Sequence, residues 1–292
     1  MTACTFEGPP STAIDASADA TLEPPPLELF GVAQPINGLN TIATNDDDAT
    51  FTPGMSVVFI ARSDGGVTQS DIMVATSSDG GQNFEDLKVD PIRSDAVASE
   101  DAPRLSADGL TLTWSCDCNG ADGVELFIAS RKDLSVGFGI GRRIGELSAI
   151  GGVQKAGSLS ADGRRIYFCS ETGPPGPNST EAIYVAERPS LSEPFASPTE
   201  ISFGIGTREC DPWISDDELR MVFSAGEFVD RDLYEVTRPT VDSLWGPPTT
   251  SAFANINNAS AESDPWLSPD LATLVFSSNR AGGQDVYMAI RL

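Results

Sequence analysis

The sequence predicts an all-β fold: a β-propeller of four-stranded blades, five in number, closed by pairing of the N-terminal strand with the C-terminal blade. Three observations predict it. A segment of about 54 residues recurs five times between Asp48 and Leu292. Each copy carries strand-like apolar runs separated by turn residues. The last copy lacks a fourth strand, and the N-terminal residues can supply one.

The repeat is anchored by a serine or threonine that follows an apolar residue. The anchors lie 54, 54, 55 and 53 residues apart, at Thr52, Ser106, Ser160, Ser215 and Ser268. Eight residues after four of the anchors stands an aromatic residue: Trp114, Phe168, Phe223 and Phe276. In the first copy a shorter turn brings Phe59 to this place. The agreement of so many offsets indicates a structural repeat.

Each copy predicts three strands followed by a fourth. Runs such as VVFI, RIYF, MVFS and LVFS suit strands that are buried on both faces, as between stacked blades. SADG and SPD supply the first hairpin turns, because Asp and Gly tolerate the backbone angles of tight turns. SSDGGQNF, from Ser77 to Phe84, resembles the Asp-box turn motif of sialidase-like propellers, and we interpret it as structural because its residues serve the turn.

The last copy ends at Leu292, where its fourth strand should begin. The other fourth strands begin near an aromatic residue, and the matching N-terminal sequence is FGVAQPING, from Phe30. We therefore expect residues 29–36 to pair with residues 285–291, which removes the free sheet edges of the ring. The chain is thus divided into a flexible tether rich in Pro, Ala and acidic residues, 1–26, and a propeller, 27–292.

Composition excludes several classes of function. The 43 acidic residues exceed the 18 basic ones and give a net charge of -25, a field that repels phosphate backbones, so no nucleic-acid partner is expected. The chain has no histidine, which excludes Ser-His-Asp catalysis and every His-containing metal site. No apolar run approaches the ~20 residues of a membrane span. Membrane contact is therefore expected only through an N-terminal lipid.

The first four residues, MTAC, resemble the end of a bacterial lipobox. We predict that Cys4 is the lipidated residue of a lipoprotein in the periplasm or at the outer membrane or cell surface. The alternative is an unmodified cysteine at the start of the tether.

Acidic residues recur where the first strand of a copy begins, and the propeller plan brings these segments to one mouth of the central channel. The candidate binding residues at this mouth are Asp48, Asp101, Asp211, Trp213, Asp264, Trp266 and Arg280. Focused negative potential there would attract cations or a basic segment of a protein partner. The competing interpretation is that the acids only hydrogen-bond their local turns. The run NDDD, from Asn45 to Asp48, adds bound calcium as a hypothesis, and no other metal or cofactor is expected.

The cysteines other than Cys4 are disulfide candidates: Cys116, Cys118, Cys169 and Cys210. Their even number suits an oxidising compartment. We favour cross-blade disulfides, with free buried thiols as the second interpretation. A four-thiolate zinc site is the third, because Cys-x-Cys with two distant cysteines is a weak metal spacing.

The last copy, DPWLSPD followed by LVFSSNRAGGQDVY, resembles the propeller repeat of TolB-like proteins. The resemblance covers residues 48–292 as repeats and is thin in the first copy. It implies a periplasmic or surface-exposed propeller that binds proteins. The protein after which the family is named has six blades and a separate N-terminal domain, so its specific partner is not carried over to this chain.

The expected function is therefore a non-catalytic, protein-binding scaffold at the bacterial cell envelope, present as a monomer. The alternative is a carboxylate-based glycoside hydrolase or another carbohydrate-active five-bladed propeller, because paired acids can cleave glycosides without histidine. Such an enzyme needs unlike carboxylates in different environments, one of them with a raised pKa.

Overall fold

The computed structural model describes residues 23–41, 44–64, 69–90, 98–118, 123–172, 179–206 and 208–292. Within them, antiparallel sheets form the five blades of a β-propeller, and the predicted all-β fold class is confirmed. Blade 1 consists of β2 (Thr44–Phe51), β3 (Val57–Asp64), β4 (Ser70–Thr76) and β5 (Glu85–Val89), and blade 2 of β6 (Glu100–Leu105), β7 (Thr111–Cys116), β8 (Glu125–Ser130) and β9 (Arg142–Arg143). Blade 3 consists of β10 (Val153–Leu159), β11 (Arg165–Thr172), β12 (Thr180–Glu187) and β13 (Thr199–Ile201), and blade 4 of β14 (Glu209–Ile214), β15 (Arg220–Glu227) and β16 (Asp230–Thr237). Blade 5 consists of β17 (Glu262–Leu267), β18 (Thr273–Ser278), β19 (Asp285–Ile290) and the N-terminal strand β1 (Gln34–Pro35).

The outer strands are short. Blade 2 ends in the two-residue strand β9, and in blade 4 the outer position is held by a single backbone bridge between Glu235 and Thr249. Short outer strands leave few unpaired backbone groups at the edge of each blade, which limits pairing with another chain. Short 3₁₀ helices, Gly145–Ile150 and Ser251–Phe253, lie in the connections to the next blades.

The ring closes as predicted. Gln34 and Pro35 of β1 pair with Met288 and Tyr287 of β19. A further bridge joins Phe30 to Arg291. The N-terminal strand therefore completes the last blade, although the regular pairing is shorter than residues 29–36.

Residues just before this strand also contact blade 4. The Leu27 amide donates to the carboxylate of Glu235 at 3.1 Å, and Arg220 Nη2 donates to the Pro25 carbonyl oxygen at 2.6 Å. Glu23 accepts a hydrogen bond from Thr237 at 2.5 Å. Glu23 and Pro25, which we assigned to the tether, therefore contact the propeller.

The anchoring serines of the repeat cap the first hairpin turn of their blades. Ser106 donates from Oγ to Asp108 at 2.6 Å, and its oxygen accepts from the Thr111 amide at 2.9 Å. The same Ser–Asp bond recurs in the next three blades, at 2.8, 2.6 and 2.5 Å. Polar residues of the turn motif therefore bond the turn itself.

The aromatic residues of the repeat stack in pairs across the second and third strands. Ring centroids lie 5.7, 5.8, 5.8 and 6.0 Å apart in the pairs Trp114–Phe127, Phe168–Tyr184, Phe223–Tyr234 and Phe276–Tyr287. Such pairs add stabilisation beyond the area they bury. They form part of the apolar layers between blades.

The first strand of each blade lies innermost and contacts the first strands of both neighbouring blades. All five contain a β-bulge at the same repeat position. The bulge residue has left-handed backbone angles, with φ between 49° and 56°, at Asp48, Ala102, Ala156, Asp211 and Asp264. A bulge changes the direction of the side chains around it, and these bulges lie at one end of the channel. No helix within the described ranges is long and apolar enough to cross a membrane.

Candidate active site

Five aspartates gather where the first strands enter the channel, and we call them the acidic centre: Asp47, Asp48, Asp101, Asp211 and Asp264. Asp48, Asp211 and Asp264 are bulge residues. Asp101 comes one residue before the bulge of its strand and shares the repeat position of Asp47. The centre therefore combines two positions of the repeat, drawn from four blades.

The backbone does not require aspartate at the bulge. Asp is enriched in left-handed conformations, yet Ala102 and Ala156 adopt φ of 49° and 54° at the equivalent positions of blades 2 and 3. The turn requirement is therefore met without a carboxylate. Local turn bonding does not account for the acids of the other three blades.

Asp264, Asp48 and Asp101 form a chain of neighbouring carboxyls. Asp264 and Asp48 both lie beside Arg104, and carboxylate oxygens of Asp48 and Asp101 lie within 4.8 Å of each other. Neighbouring carboxyls favour retention of a proton, because two like charges repel each other. Asp264 and Asp48 are 8% and 7% exposed, whereas Asp101 is exposed in the mouth.

The pKa values of the chain differ from one end to the other. Burial, assisted by the charge of Asp48, raises the pKa of Asp264 to about 7. Burial also raises the pKa of Asp48 to about 6, while its contact with Asp264 and the charge of Arg104 oppose the shift. The pKa of Asp101 is raised as well, although the side chain reaches solvent, because surrounding protein displaces part of the water around its carboxyl; the hydrogen bond from the Ala102 amide favours its charged form. Asp264 is thus the end that retains a proton near neutral pH.

Arg104 provides the positive charge beside this chain. Its side chain is 3% exposed, and its guanidinium nitrogens lie 3.3 Å from Asp48 Oδ1 and 3.2 Å from Asp264 Oδ1. A buried charge is costly unless it is paired, so Arg104 and the two carboxyls hold one another in place.

The opposite wall of the acidic centre has its own cations. Asp211 accepts from Ser224 Oγ at 2.6 Å and lies 3.4 Å from Arg231 Nη1. Glu181 binds both Arg231 and Lys155, the latter at 2.8 Å. Burial raises the pKa of Asp211, although Arg231 lowers it. Asp211 is consequently held by a separate set of partners from the Asp264–Asp48–Asp101 chain.

The two tryptophans that we predicted at the mouth do not join the acidic centre. Trp213 and Trp266 occupy the repeat position of Arg104, two residues beyond the bulge. They are 9% and 7% exposed, and with Thr50 and Ser158 they line a cavity of about 40 Å³. The anchor-turn residues that also line it show that it lies toward the opposite end of the channel.

Arg280 also lies outside the acidic centre. Its Nη2 donates to Glu262 Oε1 and to the Ile256 carbonyl oxygen, each at 3.0 Å. Its guanidinium packs over Phe276 and Tyr287, 5.0 and 4.9 Å from the ring centroids. These contacts tie together the loop and strands of blade 5.

A cation-binding arrangement exists within the acidic centre. Carboxylate oxygens of Asp47, Asp48 and Asp101 lie within 4.8 Å of one another, and oxygen ligands suit calcium. Asp46, another member of the NDDD run, is instead bound by Arg62 at 2.5 Å. Calcium usually takes about 6–8 oxygen ligands, more than these three carboxylates supply on their own, so calcium stays a hypothesis.

The four cysteines of the propeller are paired. Cys169 and Cys210 form a disulfide between blades 3 and 4, and Cys116 and Cys118 form one within blade 2. These four sulfurs are therefore not thiolates and do not form the zinc site considered above. Cys210 directly precedes Asp211, so the cross-blade disulfide borders the acidic centre. Cys4 lies outside the described residues, and its lipidation stays a prediction.

Sequence reasoning did not find the cations of the site. Arg104, Lys155 and Arg231 each contact an acidic side chain near the channel. Two of them differ from the residues at the equivalent positions of the other copies, and this difference could have revealed them. At the position of Arg104 the other copies have Thr, Ser or Trp, and Lys155 occupies the position of Asp101. Arg231 lies on β16, the third strand of blade 4, and the repeat shows no comparable difference at its position.

The fold and site together define a five-bladed β-propeller with an acidic channel mouth. No protein-family model matches the chain, and no curated protein matches it. Among solved structures, a thermostable family-43 glycoside hydrolase is similar with a TM-score of 0.60 and 14% identity, covering 89% of this chain and 91% of that one. An α-L-arabinofuranosidase from Podospora anserina, solved with cellotriose, has a TM-score of 0.58 and 11% identity over 90% of this chain and 96% of its own.

The fold is also similar to TolB from Acinetobacter baumannii, with a TM-score of 0.50 and 15% identity. That match covers 85% of this chain and 55% of the TolB chain. At these identities the comparisons show a shared propeller fold.

Proposed function

We propose that the protein is a carboxylate-dependent glycoside hydrolase whose reaction takes place at the acidic centre. The observation that carries the proposal is the presence of unlike carboxyls in one channel mouth: Asp264 is buried beside Arg104 at 3.2 Å, and burial raises its pKa to about 7, whereas Asp101 is exposed and accepts a hydrogen bond from the Ala102 amide at 3.0 Å. Glycoside cleavage needs such a pair, an acid with a raised pKa and an ionised base. This replaces the non-catalytic scaffold as our leading hypothesis.

In this mechanism Asp264 is the general acid and Asp101 the general base. Asp264 gives its proton to the leaving glycosidic oxygen, and Asp101 removes a proton from the attacking water. Asp48 lies beside both carboxyls and can return the proton from Asp101 to Asp264 after each turnover. A base that activates water belongs to the inverting mechanism, in which the two carboxyls stand about 6.5–9.5 Å apart to leave room for that water.

Two of the structures with a similar fold are named as glycoside-cleaving enzymes, and the matches span 91% and 96% of those chains. This supports the proposal at the level of architecture. The substrates chosen for testing are glycosides that contain arabinofuranose, xylose or glucose units, as the names of the similar structures suggest.

The test is hydrolysis of a substrate panel by the native protein and by Asp264→Asn and Asp101→Asn. The panel contains 4-nitrophenyl α-L-arabinofuranoside, β-xyloside and β-glucoside together with xylotriose, cellotriose and arabinoxylan. We expect turnover of at least one substrate, and each substitution should lower kcat by about 10²–10⁴-fold. Native activity should fall as the pH rises above about 7, where Asp264 loses its proton.

Asp242→Asn is the matched control, because Asp242 is exposed in the turn after β16 and away from the acidic centre. Circular dichroism of every variant separates loss of activity from loss of fold. Absence of turnover by the native protein, or unchanged kcat in both active-site variants, contradicts the proposal.

A second candidate function is binding of a basic protein segment at the same mouth. The favouring observation is the excess of acids: five aspartates face three cations, of which Lys155 and Arg231 are shared with Glu181. Such binding would weaken with salt. It would be tested by pull-down from cell-envelope extracts at low and high salt, with Asp101→Asn as the variant expected to lose the partner.

Attachment of the protein to a membrane through Cys4, in the periplasm or at the cell surface, accompanies the second candidate and is equally compatible with a secreted hydrolase. Mass spectrometry of the native protein tests it directly: an acylated N-terminal cysteine supports lipidation, and an unmodified one excludes it. Size-exclusion chromatography with light scattering tests the expected monomer.

A further inference from the structure

The hairpin between β15 and β16 ends in an unusual pair of residues. Its two-residue loop is Phe228-Val229, between the paired residues Glu227 and Asp230. Two-residue hairpin loops favour Asn, Asp and Gly, yet here two large apolar side chains are 47% and 73% exposed. Exposed apolar side chains at such a place need an explanation beyond turn formation.

One face of the Phe228 ring packs against a buried arginine, which holds the ring in place. The guanidinium of Arg208 lies 3.8 Å from the ring centroid, and Arg208 itself is 1% exposed. Arg208 donates to Ser179 Oγ at 3.1 Å and lies 3.6 Å from the Glu227 carboxylate. A cation that stacks on an aromatic ring is attracted electrostatically to the ring's negative face. The buried arginine therefore fixes the ring and leaves the remaining surface to solvent.

The same ring lies at the rim of the acidic centre. Arg231 approaches the Phe228 centroid to 5.5 Å, and Nη1 of this arginine lies 3.4 Å from Asp211. One guanidinium thus separates the ring from a carboxyl of the centre. Within the part of the chain that the structure describes, Phe228 is the one aromatic among the exposed large apolar side chains.

We propose that Phe228 is a sugar-binding platform, on which the apolar face of a substrate ring stacks while the neighbouring glycosidic bond reaches the acidic centre. The proposal rests on the proposed glycosidase function and names a residue that positions its substrate. A sugar ring presents C–H groups on one face and hydroxyls at its edge. A flat aromatic ring matches that face without requiring hydrogen bonds, and its fixed position lowers the entropic cost of binding.

The experiment compares Phe228→Ala, Phe228→Leu and Phe228→Trp with the native protein. Leu keeps the apolar character but loses the flat ring, and Trp keeps the ring. We expect Ala and Leu to raise KM by about tenfold, the equivalent of roughly 1.4 kcal/mol, with kcat changed little, and Trp to restore native KM. Val229→Ala, the adjacent exposed apolar residue, is the matched control and should behave as the native protein does.

Binding is measured separately, so that failure of the platform and failure of catalysis are distinguishable. Calorimetric titration with xylotriose and cellotriose uses the native protein and the same variants, each in the Asp101→Asn background. Binding that is lost in Phe228→Ala and Phe228→Leu supports the platform even where no turnover is found.

Native-like KM and affinity in Phe228→Leu would overturn the platform and leave the hydrolase proposal standing. Absence of both binding and turnover with every carbohydrate would overturn both. Thermal melting of each variant identifies any loss that comes from uncovering Arg208.

Discussion

The left-handed bulge residue is an aspartate in three blades and an alanine in two. Left-handed angles cost a residue with a Cβ about 1–2 kcal/mol, and Ala102 and Ala156 accept that cost with no polar side chain to offset it. The strain therefore belongs to the bulge. The acids instead determine the chemistry of the channel, because Asp48 and Asp264 lie together in a buried space, where Asp48 adds to the rise in the pKa of Asp264 and both add to the rise in the pKa of Asp47.

These raised pKa values predict how stability depends on pH. The folded protein binds a proton at Asp264 more tightly than the unfolded chain does, with a pKa of about 7 against the ordinary 3.8. Its contribution to stability is therefore complete below about pH 4 and is lost as the pH rises to about 7; Asp48 behaves likewise up to about pH 6. We expect the free energy of unfolding to fall by a few kcal/mol across this range. Urea denaturation at intervals from pH 4.5 to 8 measures it.

Asp264→Asn tests the origin of that slope. The amide cannot ionise, so the variant should lose much of the decline between pH 4.5 and 7, whereas Asp242→Asn should retain it. A native protein whose stability rises over this interval, or an Asp264→Asn variant with the native slope, would show that the buried carboxyls do not retain their protons.

At the scale of strands and turns, the sequence predicted what is determined locally. The Ser–Asp turns and the aromatic pairs follow from residues a fixed distance apart, so the repeat revealed them. The bulge was not predictable, because it adds a residue to a strand without disturbing the spacing of its apolar side chains. Asp101, which lies five residues before its anchor, is therefore not at the bulge, whereas Asp48, Asp211 and Asp264, four residues before theirs, are the bulge residues.

The two disulfides are elements of very different span. Cys169–Cys210 closes a loop of 41 residues and joins two blades, whereas Cys116–Cys118 spans two residues. A cross-link restricts the unfolded chain more when its loop is longer, by about 3–4 kcal/mol for a loop of this larger size. Replacing Cys169 and Cys210 by Ala should lower the unfolding free energy by about 2–4 kcal/mol.

The double replacement of Cys116 and Cys118 is the control for that prediction, since both pairs remove two sulfurs. Its loss should be clearly smaller. Equal losses for the two double variants in guanidinium denaturation would show that packing at the sulfurs, and not cross-linking of the blades, sets their contribution.

At the scale of the whole molecule, the ring was predictable from its repeats and the site was not. Counting copies gave the blades, and the missing fourth strand gave the closure. The acidic centre depends on which side chains of separate blades meet across the channel: Arg104 of blade 2 reaches Asp264 of blade 5, 160 residues away. Offsets along the chain do not contain the radius of the ring or the direction of a side chain, so this pairing emerges only from the assembled propeller.

Closure of the ring by the N-terminal strand gives the last prediction. Phe30 is fully buried, stacks 6.1 Å from Phe253, and bridges to Arg291, so it ties the N-terminal segment to blades 4 and 5 at once. Phe30→Ala should cost about 3–5 kcal/mol of unfolding free energy. Val32→Ala, two residues away and 74% exposed, should cost less than about 0.5 kcal/mol. Both are measured by urea denaturation at one pH. A loss below 1 kcal/mol for Phe30→Ala would mean that the other blades hold the ring without this strand, and the closure would then be a consequence of the fold instead of a support for it.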